Sequence, residues 1–317
     1  MRVLVTGGAG FIGANLCRAL AARPDVDHVT ALDDLSTGSA ANLDGVPARL
    51  VEGSILDREL LGHLVSRAGA VVHLAARPSV PRSVRDPMAS HTVNATGTLN
   101  VLEACRAVPG TRPHVICASS SSVYGDIAVP HKSEDLPARP LSPYGASKLA
   151  AESYTLAYAS SYGLPVLAFR FFNVYGPLQA AGHPYAAVIP VFLARAVAGE
   201  PLPIHGDGTQ ARDFTYVGSV AAVLADAVSR RVTSTGPVNL AFGTRVTLIE
   251  LAGLLGRVLG RPLGTEFLPP RTGDIRESRA SPRRLLGLFP GVRPVPLEEG
   301  LRATAEWFAT APLGAPG

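Results

Sequence analysis

The apolar run Val3-Leu4-Val5 leads directly into "TGGAGFIG", which sets Gly7, Gly10 and Gly13 three residues apart, and then into the helix-period stretch "GANLCRALAA". A plain strand-to-helix turn needs one glycine, so three at this spacing mean that another group approaches the backbone. Gly7 permits the tight turn, and Gly10 lets a pyrophosphate come close. Gly13 lets the helix pack on the strand while its N-terminal amides face the phosphates. About twenty residues further on, Asp33 ends a second strand-like run, "HVTALDD". A carboxylate there accepts both ribose hydroxyls of an adenosine and repels a 2′-phosphate, which points to NAD rather than NADP. A chain with this start is committed to a β-α-β unit and a parallel sheet.

The rest of the sequence repeats that alternation. "RVLVTG", "HVTALDD", "AVVHLAA", "HVICASSSSVYG", "PVLAFRFFNVYG" and "PVNLAFG" are apolar, β-branched and closed by small or polar residues, as buried parallel strands are. Helix-period stretches such as "TVNATGTLNVLEACRAV" lie between them, which predicts an α/β fold, a doubly wound parallel Rossmann sheet. After Gly176 the chain becomes rich in Pro and Gly, the mark of a smaller C-terminal substrate-binding lobe. The expected division is residues 1–176 with a return segment at about 215–244 for the dinucleotide domain, and 177–214 with 245–317 for the lobe. The ligand crevice belongs at their junction, beyond the carboxyl ends of the strands.

Composition removes other classes. Of the 317 residues, 47% are hydrophobic and 17% charged, and no apolar segment approaches the ~20 residues of a membrane span. The start "MRVLVTGG" leaves no room for a cleavable signal peptide, so a cytoplasmic protein is expected. The net charge of +4 comes without a basic run or interleaved aromatics, so nucleic acid is not an expected partner. Cys17, Cys105 and Cys117 are an odd set without metal-ligand spacing in apolar surroundings, which predicts buried free thiols and no metal site.

"SPYGASK" places Tyr144 and Lys148 one helical turn apart, and "ASSSSVYG" places the hydroxyls of Ser119 to Ser122 at a strand end facing the same cleft. With "VTGGAGFIG", "LDDLSTG", "VVHLAA", "VPRSV", "RFFNVYGP", "PYAAVIP", "RDFTYV" and "RTGD" in the same order, the chain resembles the extended short-chain dehydrogenase/reductases, and among them the nucleotide-sugar 4-epimerases, over nearly its whole length. The resemblance implies that Tyr144 is the base, Lys148 its electrostatic partner and Ser120 the hydrogen-bond partner of the reacting hydroxyl. It implies cofactor contacts from Gly7, Gly10, Phe11, Ile12, Gly13, Asp33, Asp34, Ser36, Thr37, Gly38, Ser54, Ile55, Leu74, Ala75, Ala76 and Asn94. For a UDP-sugar it implies Asn173, Arg212 and Arg271 on the diphosphate, Asp274 on the ribose, Ala187, Val188 and Ile204 around the uracil, and Phe172, Arg82, Ser121 and Ser122 beside the sugar. A phenol with an ordinary pKa near 10 is a poor base, and an adjacent ammonium together with a positive nicotinamide is expected to lower it.

Three positions depart from the family pattern. Ser54 stands where an Asp near the adenine is usual, and Leu178 replaces a frequent Arg. Ser278, four residues after Asp274, is small where a bulky Tyr excludes an N-acetyl group, so room for UDP-N-acetylhexosamines is expected. Rival readings on this fold are a nucleotide-sugar dehydratase, a uronate decarboxylase and a non-catalytic dinucleotide sensor. The first two usually carry a carboxylic acid before "VYG", where this chain has Ser121 and Ser122, and sensors commonly lose the Tyr or Lys. Glucose/galactose, their N-acetylated forms and glucuronate/galacturonate all fit the motifs. The helices over 92–107 and 145–162 carry apolar residues on more than one face, and related enzymes pair such helices, so a homodimer is expected.

Overall fold

A computed structural model describes residues 1–182, 186–270 and 276–310. Among these, Arg2–Thr6 (β1), His28–Asp33 (β2), Ala48–Glu52 (β3), Ala70–His73 (β4), His114–Ser120 (β5), Val166–Phe171 (β6) and Val238–Leu240 form a seven-stranded sheet. It is parallel throughout, in the order β3-β2-β1-β4-β5-β6 and then Val238–Leu240. The helices preceding β6 are α1 (Phe11–Ala21), α2 (Arg58–Val65), α3 (Val80–Arg85), α4 (Pro87–His91), α5 (Gly97–Arg106) and α6 (Pro143–Tyr162).

β4 and β5 are buried along their whole length, as strands covered on both faces must be. Alternate residues of one apolar strand serve opposite layers. Val3 and Val5 pack with α1 and the helix Val217–Arg230, whereas Leu4 packs with α2, α5 and α6. The chain leaves β1 toward one edge and resumes at β4 toward the other, so the crevice at the carboxyl ends of β1 and β4 is a topological switch point.

A second core, with Phe192, Leu193, Leu202, Phe214, Leu251 and Leu301 among its members, belongs to the smaller lobe. Short sheets frame it. Asn173–Tyr175 pairs with Phe214–Tyr216, Leu202–His205 with Thr265–Leu268, and Ala211–Arg212 lies between Val246–Thr247 and Glu277–Ser278.

The apolar runs predict six of the sheet strands, and β3 is the one they do not mark. "ARLVE" lies at the sheet edge with every residue half-buried or exposed, so no continuous apolar run signals it. Two expected strands are also shorter than their runs. After Ser120 the backbone turns into a 3₁₀ segment, Ser121–Tyr124, and after Phe171 it leaves the main sheet so that Asn173–Tyr175 pairs elsewhere. Leu285 and Phe289, placed by sequence in the smaller lobe, pack in the core of the main sheet. Cys17, Cys105 and Cys117 are free and buried, and burial pushes the Cys17 thiol up to about 12. Among the described residues, no helix is long and apolar enough to cross a membrane.

Candidate active site

Two of the three loop glycines answer to the protein's own packing. Gly7 has a φ of +70° and a Cβ there would lie 2.7 Å from the Ala75 nitrogen, while a Cβ on Gly13 would lie 2.0 Å from the Gly7 carbonyl oxygen. Gly10 differs. Its extended backbone suits any residue, and an added Cβ would approach only the Gly7 oxygen, at 3.2 Å. Open space therefore lies over Gly10, where α1 begins with neither a side-chain cap nor an acidic residue in its first turn. The amides of Phe11, Ile12 and Gly13 are left for an anion, and this cradle fits a dinucleotide pyrophosphate.

Asp33 is 7% exposed, and its carboxylate accepts from the amides of Ala9 and Leu35, each at 2.9 Å. Burial raises its pKa, opposed by those backbone hydrogen bonds. Each oxygen keeps a lone pair for a ribose hydroxyl. Asp34 holds the exposed loop carrying Thr37 by accepting from Ser36 N and Oγ, and Gly38 sits against Ala9, where a Cβ would be 2.8 Å from its carbonyl carbon. Asn42, which no motif marks, locks this loop over the glycine turn by donating to the Ala9 carbonyl at 2.8 Å. Leu74, Ala75 and Ala76 follow β4 beside Gly7 and are half-buried. Ser54 is half-buried and accepts from Leu56 N, while the Ile55 side chain lies in the core rather than in the crevice.

The end of β4 is tied to the helices through His73. Thr98 Oγ1 donates to the Asn94 carbonyl at 2.6 Å, so it accepts from His73 Nε2 at 2.9 Å, and His73 Nδ1 then accepts from Thr6 Oγ1 at 2.7 Å. Asn94 stands in a π-helical turn, Thr92–Thr96, and is 1% exposed. Its side chain accepts from Arg77 N at 2.7 Å and donates to Ser147 Oγ at 2.9 Å, so it clamps the loop after β4 to α6.

Burial holds His73 down to about 3, with repulsion from Lys148 adding to it, and holds His114 down to about 4. The unfolded chain binds protons near pH 6.5 that these folded sites refuse. Stability is therefore complete above that pH and declines as pH falls toward 4 and 3, by roughly 2 kcal/mol per histidine at pH 5. Urea denaturation at pH 7 and pH 5 checks this. His114→Asn is expected to reduce the loss between the two pH values by about that amount, and an undiminished loss would contradict the assignment.

The helix that carries the Tyr–Lys pair has a strong start signal. Ser142 Oγ caps it by accepting from Gly145 N at 3.1 Å, and Pro143 occupies the first turn, where it has no amide to satisfy. A Cβ on Gly145 would lie 2.8 Å from the Ser122 carbonyl oxygen, so this glycine lets α6 close on the serine turn. Across that contact the Tyr144 hydroxyl hydrogen-bonds to Ser120, whose Oγ also accepts from Ser122 N at 3.1 Å. Ser83 Oγ accepts from Tyr144 N at 2.9 Å and docks α3 on the same turn. Lys148 is 5% exposed. Burial raises the Tyr144 phenol, opposed by its bond to Ser120, and burial lowers Lys148. The expected depression of the phenol is thus not produced by the chain's own residues, because desolvation opposes the phenolate and outweighs the Ser120 bond.

Tyr144 opens onto a cavity of about 490 Å³ that Phe172, Asn173, Ala187, Val188 and Arg212 also line. Ser79, held at a φ of +95°, and Gln179, Pro203, His205 and Gln210 line it too. None of these five belongs to a motif, although the alternation of Leu202–His205 could have marked His205. That alternation corrects Ile204, whose side chain is fully buried in the second core while Pro203 and His205 face the cavity. Ser278 is buried beside Arg212 in strand register, and neither it nor Arg82 is among the cavity-lining residues. Arg82 is half-buried on α3, and Ser121 and Ser122 are half-buried in the 3₁₀ turn. Arg271 and Asp274 lie outside the described residues.

The model of the NAD dependent epimerase/dehydratase family matches residues 3–241. A UDP-glucose 4-epimerase of Mycolicibacterium smegmatis is 39% identical over 97% of this chain and 98% of its own. Among solved structures, the UDP-N-acetylglucosamine 4-epimerase of Methanobrevibacter ruminantium M1, in complex with UDP-N-acetylmuramic acid, superposes with a TM-score of 0.90 at 35% identity, covering 98% of both chains. The UDP-glucose 4-epimerase of Thermotoga maritima with UDP-glucose gives 0.89 at 34% identity, covering 98% of this chain and 99% of its own. A glycine cradle open to a pyrophosphate, a buried carboxylate at the end of β2 and a Tyr–Lys helix closing on a serine turn thus occur with similarity over almost the whole length, and the chain belongs to the NAD-dependent epimerase/dehydratase family.

Proposed function

We propose that the protein is a UDP-sugar 4-epimerase that inverts C4 by transient oxidation to a 4-keto sugar. The observation that carries this reading is the shared cavity. Tyr144, bonded to Ser120, opens into the same space as Asn173 and Arg212, so a sugar whose diphosphate rests on those two residues can reach the phenol. Arginine's planar fork suits a diphosphate because it makes paired, charge-assisted hydrogen bonds. NAD, when bound, supplies the hydride acceptor and donor for C4, and a positive charge beside the phenol. Tyr144 then takes the proton of the 4-hydroxyl, Ser120 holds that oxygen in line, and the Lys148 ammonium works against the desolvation that raises the phenol without by itself overcoming it, each unit of pKa lowering amounting to ~1.4 kcal/mol. The ketose stays anchored by its diphosphate, turns over, and regains its proton from Tyr144 with the opposite configuration.

The turn before Val123 favours epimerisation over elimination, because Ser121 and Ser122 offer no carboxylic acid to protonate a leaving 6-hydroxyl. Incubation with UDP-hexoses, UDP-N-acetylhexosamines and UDP-uronates, followed by NMR, tests the reading. A C4 epimer is expected, and a 4-keto-6-deoxy sugar or a decarboxylated pentose would replace it with a rival. Asp33 leads to a second expected result. A 2′-phosphate about 4 Å from its carboxylate meets roughly 4 kcal/mol of repulsion, so calorimetry should show NAD binding at least about 10²-fold more tightly than NADP. Asp33→Asn should narrow the gap, and equal affinities in the wild type would refute the assignment.

A homodimer formed through α5 and α6 is part of the proposal. The two helices pack on each other, and α6 leaves Tyr154 and Tyr162 42% and 45% exposed. Light scattering at micromolar concentration is expected to give twice the chain mass, and a monomeric mass would exclude the dimer.

A further inference from the structure

The stripe that holds Tyr144 and Lys148 continues one turn further, to Glu152. Glu152 is 2% exposed and its carboxylate is fully engaged. It accepts from Arg170 Nη2 at 2.6 Å and Nε at 2.9 Å, and from Ser119 Oγ at 2.7 Å. Ser119 and Arg170 are register partners on β5 and β6, and Ser119 immediately precedes Ser120. One carboxylate thus joins the Tyr–Lys helix to both strands beneath it, next to the serine that meets Tyr144.

Stability does not explain the arrangement, because a buried ion pair is commonly no better than apolar side chains of the same volume. What it adds is direction. Three hydrogen bonds of fixed geometry set the position of α6 along β5, whereas apolar contacts tolerate sliding. A displacement of about 1 Å between reacting groups can cost about 10²-fold in rate. The guanidinium is further confined, lying 4.6 Å over the Tyr124 ring, whose hydroxyl donates to Asn239 Oδ1 at 2.7 Å.

We propose that Glu152, Arg170 and Ser119 form a positioning unit that sets the register of Tyr144 and Lys148 against Ser120. The inference rests on the epimerase reading above, with Tyr144 as its base. Its test is the double variant Glu152→Met/Arg170→Met, which removes both charges together and so leaves neither one buried without its partner. In the NAD-loaded enzyme, kcat is expected to fall at least about tenfold while KM for the UDP-sugar changes less than about threefold. The acid limb of the kcat–pH profile should move to higher pH, since Lys148 no longer sits in register with the phenol. A folded double variant with wild-type kcat and pH profile would overturn the proposal. If that variant does not fold, Glu152→Asp decides. It keeps the charge pair but shortens the reach by one methylene, and it should show the same changes in kcat and pH profile, whereas wild-type behaviour would overturn the inference. Absence of turnover in the wild type would count against the functional reading, while loss confined to the variants supports the positioning role.

Discussion

Tyr144→Phe is expected to lower kcat by at least about 10²-fold while leaving the affinity for the UDP-sugar within about threefold. The phenol ring lines a cavity whose anionic ligand would be gripped elsewhere, at Asn173 and Arg212, so loss of one hydroxyl leaves most of the binding surface intact. What disappears is the atom that accepts the proton, together with its hydrogen bond to Ser120. Because burial raises the phenol, turnover in the wild type should decline as pH falls, since protonation removes the base, and the variant should lack that dependence. Product formation followed by NMR across a pH series checks both points. A variant with near-normal turnover would show that another group is the base.

Gly10→Ala and Gly13→Ala are expected to fail in different ways. At Gly13 the new methyl would lie 2.0 Å from the Gly7 carbonyl oxygen, and backbone cannot yield that far, so the protein should lose several kcal/mol of stability or fail to fold. At Gly10 the nearest protein atom is 3.2 Å away and the backbone is extended, so the unliganded protein should lose no more than about 1 kcal/mol, the scale of an altered N-cap. NAD affinity should nevertheless drop by at least about 10²-fold, because the methyl occupies the space through which a pyrophosphate reaches the α1 amides. Thermal unfolding paired with calorimetry separates the two effects. Unchanged NAD binding in Gly10→Ala would mean that the phosphates rest elsewhere.

The parts of the site legible in the sequence are those whose geometry is local. Three glycines between a strand and a helix, Asp33 at the end of β2, and Tyr144 with Lys148 one turn apart are all fixed by the turn, the strand end or the helical period, and spacing reports them without knowledge of the fold. The edge strand β3 escaped because exposure relaxes composition, leaving no apolar run to see. Ile204, which the family resemblance sets beside the uracil, has its side chain in the second core, since adjacent residues of a strand face opposite sides and only packing decides which side is the cavity.

By itself, then, the sequence determined the β-α-β start, the doubly wound class and the local spacing of the candidate residues Asp33, Tyr144 and Lys148, because each is encoded within a few residues of chain. Only the tertiary structure decided which distant groups meet. It brought His205, Gln210 and Ser79 around the cavity of Tyr144, and set Glu152 of α6 on Arg170 of β6. It also decided the charge states, holding His73 neutral and raising the Tyr144 phenol rather than lowering it. The physical reason is that desolvation and strand register depend on what covers a residue, and that covering comes from elements tens of residues away.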